Sequence, residues 1–296
     1  MNSTDIAFEK LGIYLRNVPK SFNVFGLRIA LYGVVISVGM LLGLLCAVKV
    51  AKKSGQDPDT YWDLSIWTIV LSVLGARLYY VIFSWDSYKD DLLQILNIRN
   101  GGLAIYGGVL TAIVTLFVFG KIKKKNPFLL MDTAFCGLVL GQVIGRWGNF
   151  FNRECFGEYS NGLLSMSLPI EAVRANEITE TMWEHVAKTG ANYITVHPTF
   201  LYESLWNLGL LILMLIYFKH KKFDGEVALL YLAGYGVGRA IIESLRTDQL
   251  LIGNTGIPVS LALSLVMIAL SVITDVVVRI RMGKNKKNTI NETVAK

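Results

Sequence analysis

Cysteine is scarce in this sequence, with three residues in 296. Cys46, Cys136 and Cys155 are too few and too widely spaced for a disulfide framework or for the paired ligands of a zinc site. We therefore expect them to be small buried side chains without a shared role.

Signatures of several enzyme classes are also missing. The sequence has no serine nucleophile elbow and no acidic cluster of the kind that binds the metal of a phosphotransferase. We expect no cleavable signal peptide, because the first apolar run begins only after about 26 residues and is long enough to remain an anchor.

Long apolar runs are what the sequence does contain. Hydrophobic residues make up 53% of the chain and the mean hydropathy is +0.48, which exceeds the usual range of soluble domains. Several runs approach or exceed the roughly 20 residues that cross a hydrocarbon core. We predict seven spans, near residues 27–48, 61–83, 103–120, 128–151, 198–218, 225–246 and 257–280.

The distribution of Lys and Arg predicts the orientation, because short cytoplasmic loops are enriched in them. Alternate connections and the end of the chain are basic, at Lys49, Lys52, Lys53, Lys121, Lys123, Lys124, Lys125, Lys219, Lys221, Lys222, Arg279, Arg281, Lys284, Lys286 and Lys287. The segments 84–102, 152–197 and 247–256 lack such clusters. The pattern predicts an all-α polytopic membrane protein with seven transmembrane helices, the N-terminus outside and the C-terminus in the cytoplasm.

The predicted organisation is one membrane-embedded catalytic domain over residues 1–282 and a basic cytoplasmic tail over 283–296. Residues 152–197 would form a small extracytoplasmic head. The tail is polar, and we expect it to be disordered. The net charge of +7 does not indicate nucleic-acid binding, because the basic residues lie in turns between apolar spans and not on one surface interleaved with aromatics.

The fourth span carries two sets of residues on different helix faces. Its glycines repeat every four residues, at Gly137, Gly141 and Gly145. Its polar residues recur at steps of four, three and four, at Gln142, Arg146, Asn149 and Arg153. The glycines predict close helix packing. An arginine inside the bilayer costs about 2.5–3.5 kcal/mol on insertion scales, so the polar face indicates a partner, a cavity or a substrate.

The sixth span has a single polar face, formed by Tyr235, Arg239, Glu243 and Arg246. The simplest explanation is an ion pair between Arg239 and Glu243, which are four residues apart. Such a pair would leave Arg146 and Arg246 with surplus positive charge. An anionic group would satisfy both, and phosphate suits the bidentate fork of arginine best.

Other polar residues lie at comparable depth. Arg77, about two turns from the outer end of the second span, could snorkel to the interface. Tyr106 lies between paired glycines, where an isolated tyrosine would typically be an interfacial anchor. In the fifth span His197 could cap the helix that starts near Pro198, and Glu203 places a carboxylate in an apolar stretch.

Four motifs in series resemble those of bacterial prolipoprotein diacylglyceryl transferases. They are GGLAIYGG, GRWGNFFNRE followed by Gly157, HPTFLYES and YGVGRAIIESLRTD. Their order, spacing and placement in the spans match the family from Tyr32 to Asp248. A single HPxxxYE or GxxxG would mean little, whereas the GRxGNFxNxE block is highly specific.

The resemblance implies an activity and its partners. The protein would transfer the diacylglyceryl group of phosphatidylglycerol to the lipobox cysteine of prolipoprotein signal peptides, form a thioether and release glycerol phosphate. This would take place in the lipid bilayer of the bacterial cytoplasmic (inner) membrane, as the first step of lipoprotein maturation. The family implies neither a metal nor an organic cofactor.

The resemblance also implies site residues. Arg146 and Arg239 correspond to functionally required arginines, which would stabilise charge on the leaving oxygen; with Glu243 they are candidate catalytic residues. The expected phosphatidylglycerol-binding residues are Arg146, Asn149, Glu154, Gly157, Tyr235, Arg239, Tyr32 and Arg246.

One position departs from the family pattern. Many members have histidine where this chain has Tyr106, and a histidine with a pKa near 6.5 would be a natural general base. A tyrosine pKa starts near 10, so we expect Tyr106 to orient the phosphate. The acceptor of the thiol proton stays open among His197, the substrate phosphate and Tyr106 itself.

Two other classes of protein compete with this interpretation. A transporter for an anionic solute would also place Arg and Glu inside the membrane, but the halves of the sequence show no convincing repeat and an odd number of spans fits a duplication poorly. A noncatalytic membrane scaffold would leave the buried arginines unexplained.

Overall fold

A computed structural model describes residues 1–98, 101–253 and 255–294. The chain forms two compact units. Unit 1 comprises Met1–Gly43, Leu138–Lys221 and Glu226–Lys296, and unit 2 comprises Leu44–Gly137 and Lys222–Gly225. Each unit is described separately below.

The described residues form eight α-helices. They are α1 (Leu31–Lys53), α2 (Asp59–Phe83), α3 (Ile105–Ile122), α4 (Pro127–Asn152), α5 (Glu180–Thr189), α6 (Thr199–Tyr217), α7 (Glu226–Glu243) and α8 (Val259–Val294). Within the part of the chain that the structure describes, six helices are long and apolar enough to cross a membrane: α1, α2, α3, α4, α6 and the Val259–Asn285 portion of α8. The prediction of a polytopic membrane protein is thus supported by six helices. The sixth predicted span coincides with α7, which is not in this set because it carries three charged residues, Glu226, Arg239 and Glu243. The count of seven spans therefore stays a prediction.

The first span begins four residues later than predicted. Residues Leu27–Ala30 form strand β4, which pairs with β3 (Ser21–Val24) in an antiparallel hairpin. The two residues at its tip, Phe25 and Gly26, both have positive φ, as the commonest tight hairpin turn requires. Leu27 is apolar but faces solvent at the turn, and hydrophobicity alone could not separate this strand from the helix that follows.

A four-stranded antiparallel sheet makes the all-α prediction wrong. Its strands lie in the order β2 (Ile13–Leu15), β1 (Ile6–Phe8), β5 (Met166–Pro169) and β6 (Tyr193–Val196). The head predicted from residues 152–197 therefore also includes strands from the start of the chain. Strands of three or four residues are too short to show a reliable alternation of apolar and polar side chains, which is why the sequence did not predict them.

This sheet packs against the ends of two membrane helices in unit 1. The shared core contains Phe150 at the end of α4, Phe200 at the start of α6 and Phe156 in the connecting loop, together with the buried strand residues. The rings of Phe150 and Phe200 lie 5.0 Å apart. Aromatic side chains of this size contribute most of the buried area in such cores, so they fix the helix ends on which the polar residues lie.

Glycines allow close helix packing in unit 1. An added Cβ on Gly39 of α1 would lie 3.1 Å from the carbonyl oxygen of Gly141 in α4, and one on Gly145 would lie 3.2 Å from Ile36. The predicted packing role of Gly141 and Gly145 is confirmed. Helix α7 packs on both α6 and α8, and an added Cβ on its Gly238 would collide with the indole of Trp206.

In unit 2, Arg77 has a role that the sequence did not reveal. Only 7% of it is exposed, and its guanidinium donates to the backbone carbonyls of Gln94, Ile95, Asn97, Gly101 and Gly102 at 2.7–3.2 Å. Arg77 therefore does not snorkel to the interface. It binds the connection between α2 and α3.

The predicted disordered tail is wrong for residues 283–294, which continue α8 to Val294. Gly283 is the only glycine in this stretch, and no proline follows it. A single glycine costs a helix only about 1 kcal/mol relative to alanine, which is too little to end it.

Candidate active site

Three helices of unit 1 bring polar side chains to one buried carboxylate, that of Glu203 in α6. Arg146 of α4 forms an ion pair with Glu203 Oε2. Arg239 of α7 donates from Nη1 to Glu203 Oε1 over 3.2 Å, and Arg246, just after α7, has Nη1 3.8 Å from the same oxygen. The side chain of Glu203 is 5% exposed, so these charges interact largely out of water.

Two further carboxylates complete the cluster. Arg239 Nη2 lies 2.5 Å from Glu243 Oε2 one turn along α7, as the spacing of four residues predicts. Arg246 forms a bidentate pair with Asp248, at 2.8 Å from Nε and 2.6 Å from Nη2. We call these six residues, Arg146, Glu203, Arg239, Glu243, Arg246 and Asp248, the arginine cluster.

The expected surplus of positive charge at Arg146 and Arg246 is wrong. Arg146 and Arg246 each have a carboxylate partner, and the arginine cluster contains three guanidinium groups and three carboxylates. Burying an unpaired charge costs far more than burying a paired one, which explains the balance. The sequence showed Glu203 as a carboxylate in an apolar stretch but did not indicate that α6 would turn it toward two other helices.

Ionisation of Asp248 follows from its contacts. Burial alone would raise the pKa of this carboxyl, but the hydrogen bonds and charge of Arg246 outweigh burial and lower the pKa below its usual value. Asp248 is therefore ionised at neutral pH and holds Arg246 in place.

The turn after α4 presents Glu154. Arg153 and Cys155 on either side of it have φ values of 55° and 56°, in the left-handed region that side chains rarely adopt. Glu154 Oε1 accepts from the amides of Asn149 at 3.1 Å and Asn152 at 3.2 Å. Two of the predicted binding residues, Asn149 and Glu154, are thus in direct contact.

The thiol of Cys155 lies next to these groups but is poorly suited to act as a nucleophile. Burial raises the pKa of Cys155 to about 11, so it is a neutral thiol at physiological pH. Asn149 Nδ2 lies 3.7 Å from its sulfur.

Gly157 joins the loop after α4 to two other site residues. Its N–H donates to the carbonyl of His197 over 3.0 Å, and it forms an isolated antiparallel bridge with Arg246. An added Cβ would lie 2.7 Å from Leu245 O and 2.9 Å from His197 Cβ. Glycine is therefore required here for close approach of the backbones.

His197 lies between β6 and α6 and does not cap the helix as first expected. Helix α6 has no side-chain cap, and Nδ1 of His197 lies 3.2 Å from the hydroxyl of Tyr202. Burial lowers the pKa of His197 below 6.5, although the charge of Glu158 acts in the opposite direction. The imidazole is thus neutral at pH 7 and able to accept a proton.

The two predicted tyrosines of unit 1 pack against helices that carry the arginine cluster. Tyr235 in α7 stacks on Tyr231, with ring centroids 5.6 Å apart. The ring of Tyr32 in α1 lies against Gly148 of α4, where an added Cβ would be 2.9 Å from Cδ2. Gly148 is adjacent in sequence to Asn149.

Tyr106 belongs to unit 2. It is the second residue of α3 and is 40% exposed. The next residue, Gly107, packs against Gly75 and Tyr79 of α2. The other predicted site residues all lie in unit 1, and among these the structure brings together Arg146, Asn149, Glu154, Gly157, His197, Arg239, Glu243 and Arg246 in two contiguous groups of contacts.

Sequence reasoning omitted Glu203 and Asp248 from the site. Each had a signal: Glu203 is a carboxylate one turn inside an apolar span, and Asp248 follows Arg246 by two residues. Across residues 1–98, 101–253 and 255–294, no three His, Cys, Asp or Glu side chains form a group that could hold a metal ion.

Comparison with known proteins identifies the family. The model of the prolipoprotein diacylglyceryl transferase family matches residues 19–277. A phosphatidylglycerol–prolipoprotein diacylglyceryl transferase of Clostridioides difficile strain 630 is 37% identical over 272 residues, which are 92% of this chain and 98% of that protein. Proteins of the same name are similar in Finegoldia magna (39% identity, 86% of this chain and 94% of the relative) and Listeria monocytogenes (38%, 90% and 91%). The chain therefore belongs to the prolipoprotein diacylglyceryl transferase family.

Proposed function

We propose that this transferase moves the diacylglyceryl group of phosphatidylglycerol to the thiol of a lipobox cysteine in prolipoproteins. The observation that carries the proposal is the convergence of Arg146, Arg239 and Arg246 on Glu203 in a chain that belongs to this family. Although three carboxylates balance their charge, the three guanidinium groups at one buried point supply preoriented hydrogen-bond donors for a phosphate ester as it leaves.

The reaction exchanges one bond for another at a glyceryl carbon. The thiol sulfur attacks the carbon that bears the phosphate, a sulfur–carbon bond forms, and the carbon–oxygen bond breaks. Glycerol phosphate leaves with the electron pair of that bond. The product is a thioether, and the thiol proton passes to a base.

Arg146 and Arg239 are the residues that we assign to the leaving phosphate. Both are partly accessible, with side chains 20% and 15% exposed, whereas Glu203 and Glu243 behind them are 5% and 2% exposed. The carboxylates therefore orient the guanidinium groups and leave part of each fork for a ligand. Such preorganised donors stabilise developing charge without reorganising during the reaction.

His197 is the acceptor of the thiol proton that the contacts favour. It is neutral at pH 7 because burial lowers its pKa. The N–H of Gly157 donates to the backbone carbonyl of His197, and Gly157 also forms an antiparallel bridge with Arg246. Tyr106 would then orient the phosphate by hydrogen bonding. The substrate phosphate is the remaining alternative acceptor.

The proposed topology is seven spans with the N-terminus outside and the C-terminus in the cytoplasm, in the bacterial inner membrane. Helix α7 would be the sixth span in chain order, and its Arg239 and Glu243 are paired within the arginine cluster. Residues 1–30 and 152–197 would face outward, where a secreted cysteine is available. The alternation of basic connections supports this orientation.

The proposal is tested with purified full-length protein, phosphatidylglycerol and a synthetic lipobox peptide. We expect a diacylglyceryl mass addition on the peptide cysteine and release of glycerol phosphate. A peptide with Cys→Ser is the matched control and should stay unmodified. Absence of the mass addition under conditions in which the protein is folded would refute the proposed reaction.

A further inference from the structure

A cavity lies beside the turn that follows α4. Its volume is about 190 Å³, and it is lined by Lys20, Asn152, Arg153, Glu154, Ala172 and Arg174. It lies in unit 1 and shares Glu154 with the site described above. The arginine cluster does not line it.

The lining has an excess of positive charge. It includes three cationic side chains and one carboxylate, that of Glu154. Glu154 is already engaged, because Oε1 accepts from Asn149 and Asn152 and Oε2 lies 3.4 Å from Arg174. Arg174 also pairs with Glu177 at 3.1 Å. Within the described ranges, no carboxylate forms an ion pair with Lys20 or Arg153.

Arg153 brings a buried charge to the cavity wall. It is 2% exposed, and its Nη groups donate only to backbone carbonyls, those of Phe151, Thr4 and Val18. Its Nε–H is buried and has no hydrogen-bond partner. An arginine is held here at a φ of 55°, where glycine is favoured.

Lys20 shows the effect of this surplus charge. Its Nζ donates to the carbonyl of Ala172 over 2.8 Å, which leaves two of its three N–H groups for another acceptor. Burial lowers the pKa of Lys20, and the positive charges of Arg153 and Arg174 lower it further, although the carboxylates of Glu154 and Glu177 act in the opposite direction. An anion in the cavity would relieve this repulsion.

We propose that this cavity is a binding subsite for a phosphate monoester, and that it receives the glycerol phosphate product as that product leaves. The second part rests on the proposed function, in which this monoester is released. A monoester carries about −1.5 to −2 charge at pH 7, whereas the phosphodiester of the lipid carries a single charge. Three cations around one cavity therefore favour the product over the substrate headgroup.

The test measures binding by equilibrium dialysis of radiolabelled glycerol phosphate against full-length protein in nanodiscs. We expect the double variant Lys20→Gln/Arg174→Gln to bind roughly tenfold more weakly, because each side chain supplies a charge-assisted hydrogen bond. Lys188→Gln is the matched control, since Lys188 is also an exposed cation of unit 1 and pairs with Glu184 outside the cavity. It should bind as the unaltered protein does.

The same variants are then compared in turnover. Without added product, the initial rate of the double variant should stay within about twofold of the unaltered protein, while inhibition by glycerol phosphate weakens roughly tenfold, as the loss of charge-assisted contacts predicts. Inorganic phosphate should compete, and glycerophosphoglycerol, a soluble diester, should compete poorly. If the diester competes equally well and the double variant raises KM for the lipid, the cavity is a headgroup site and the proposal is wrong.

Two further results would overturn the proposed subsite. The first is unchanged binding of glycerol phosphate by the double variant. The other is complete loss of binding in Arg146→Gln or Arg239→Gln, which would place the monoester in the arginine cluster alone. The dialysis requires no turnover, so a failure of the transfer reaction and a failure of the subsite are observed separately.

Discussion

Arg239 is the residue whose geometry matters most for the proposed chemistry. Its two Nη atoms contact different carboxylates, Glu203 and Glu243, and only a planar fork can do so while keeping a further edge for phosphate. We expect Arg239→Lys to lower kcat/KM roughly 10- to 100-fold, the equivalent of one charge-assisted hydrogen bond of about 1.5–3 kcal/mol. The measurement is the rate of peptide modification as a function of lipid concentration.

The matched control is Arg281→Lys, an exposed arginine of α8. This variant makes the same arginine-to-lysine substitution away from the site and should leave kcat/KM unchanged. Equal activity of Arg239→Lys and Arg281→Lys would contradict the bidentate role of Arg239.

The proton acceptor can be identified from a pH profile. Because the pKa of His197 is lowered below 6.5, its base form persists at neutral pH and is lost only as the pH falls through that lowered value. We expect kcat/KM to decline on this acidic side in the unaltered protein and the decline to disappear in His197→Gln, with a rate loss of roughly 100-fold or more. A decline that persists in His197→Gln would point to the substrate phosphate instead.

Tyr106→Phe separates orientation from acid/base chemistry. Loss of an orienting hydrogen bond should lower the rate by less than about 100-fold, whereas loss of a general base is worth that much or more. Assays of the purified variant at pH 7 decide between these two roles. A larger loss would mean that the phenol takes the proton.

Much of the site could be predicted at the scale of residues. Arg146 and Arg239 stood out because a guanidinium inside an apolar span needs a partner. Their partner could not be predicted, because the direction in which Glu203 points depends on how α6 packs against two other helices. Asp248 was missed for a similar reason: its pairing with Arg246 depends on the backbone after α7.

At the scale of elements, the turn after α4 and the segment after α7 are held together at Gly157. We expect Gly157→Ala to shift the backbone, since its Cβ would lie 2.7 Å from Leu245 O. The shift should lower kcat/KM at least tenfold and destabilise the protein by about 1–3 kcal/mol, as overpacking does. Peptide modification and the thermal midpoint in detergent report the two effects.

Gly162→Ala is the control for this prediction. Gly162 lies in the same loop, and an added Cβ there would make an ordinary 3.4 Å contact with Ser160 Oγ. Activity and thermal midpoint should both stay close to those of the unaltered protein. If the two alanine variants behave alike, close approach at Gly157 is not required.

The helices were predictable as elements and the strands were not. Apolar length identified a helix at each predicted span, and the starts of these helices are displaced by at most four residues, at α1. Strands β1 and β5 are three and four residues long. They lie far apart in the sequence, so no local pattern can reveal that they pair. The role of Arg77 was also hidden, because its acceptors are backbone carbonyls and leave no signature in the sequence.

At the scale of the whole molecule, the proposed orientation can be tested with single cysteines. In a variant without Cys46, Cys136 and Cys155, Asn161→Cys should react with a membrane-impermeant maleimide on intact cells. Lys284→Cys should react only after the membrane is opened, because basic segments stay in the cytoplasm. The parent without cysteines is the control, and labelling of Lys284→Cys on intact cells would contradict the topology.

The sheet has a consequence for how the protein is made. Ala7 in its inner strand β1 pairs with Ser167 of β5, about 160 residues later in the chain. At a synthesis rate of about 5–20 residues per second, β1 waits on the order of 10 s for its neighbour, with the apolar Ile6 and Phe8 uncovered. During that interval, on the proposed topology, the first four spans are inserted. Assembly of the sheet is therefore a late step of biogenesis. On the same proposed topology, a nascent chain stalled before residue 167 would display an open strand edge to the chaperones and proteases of the extracytoplasmic compartment.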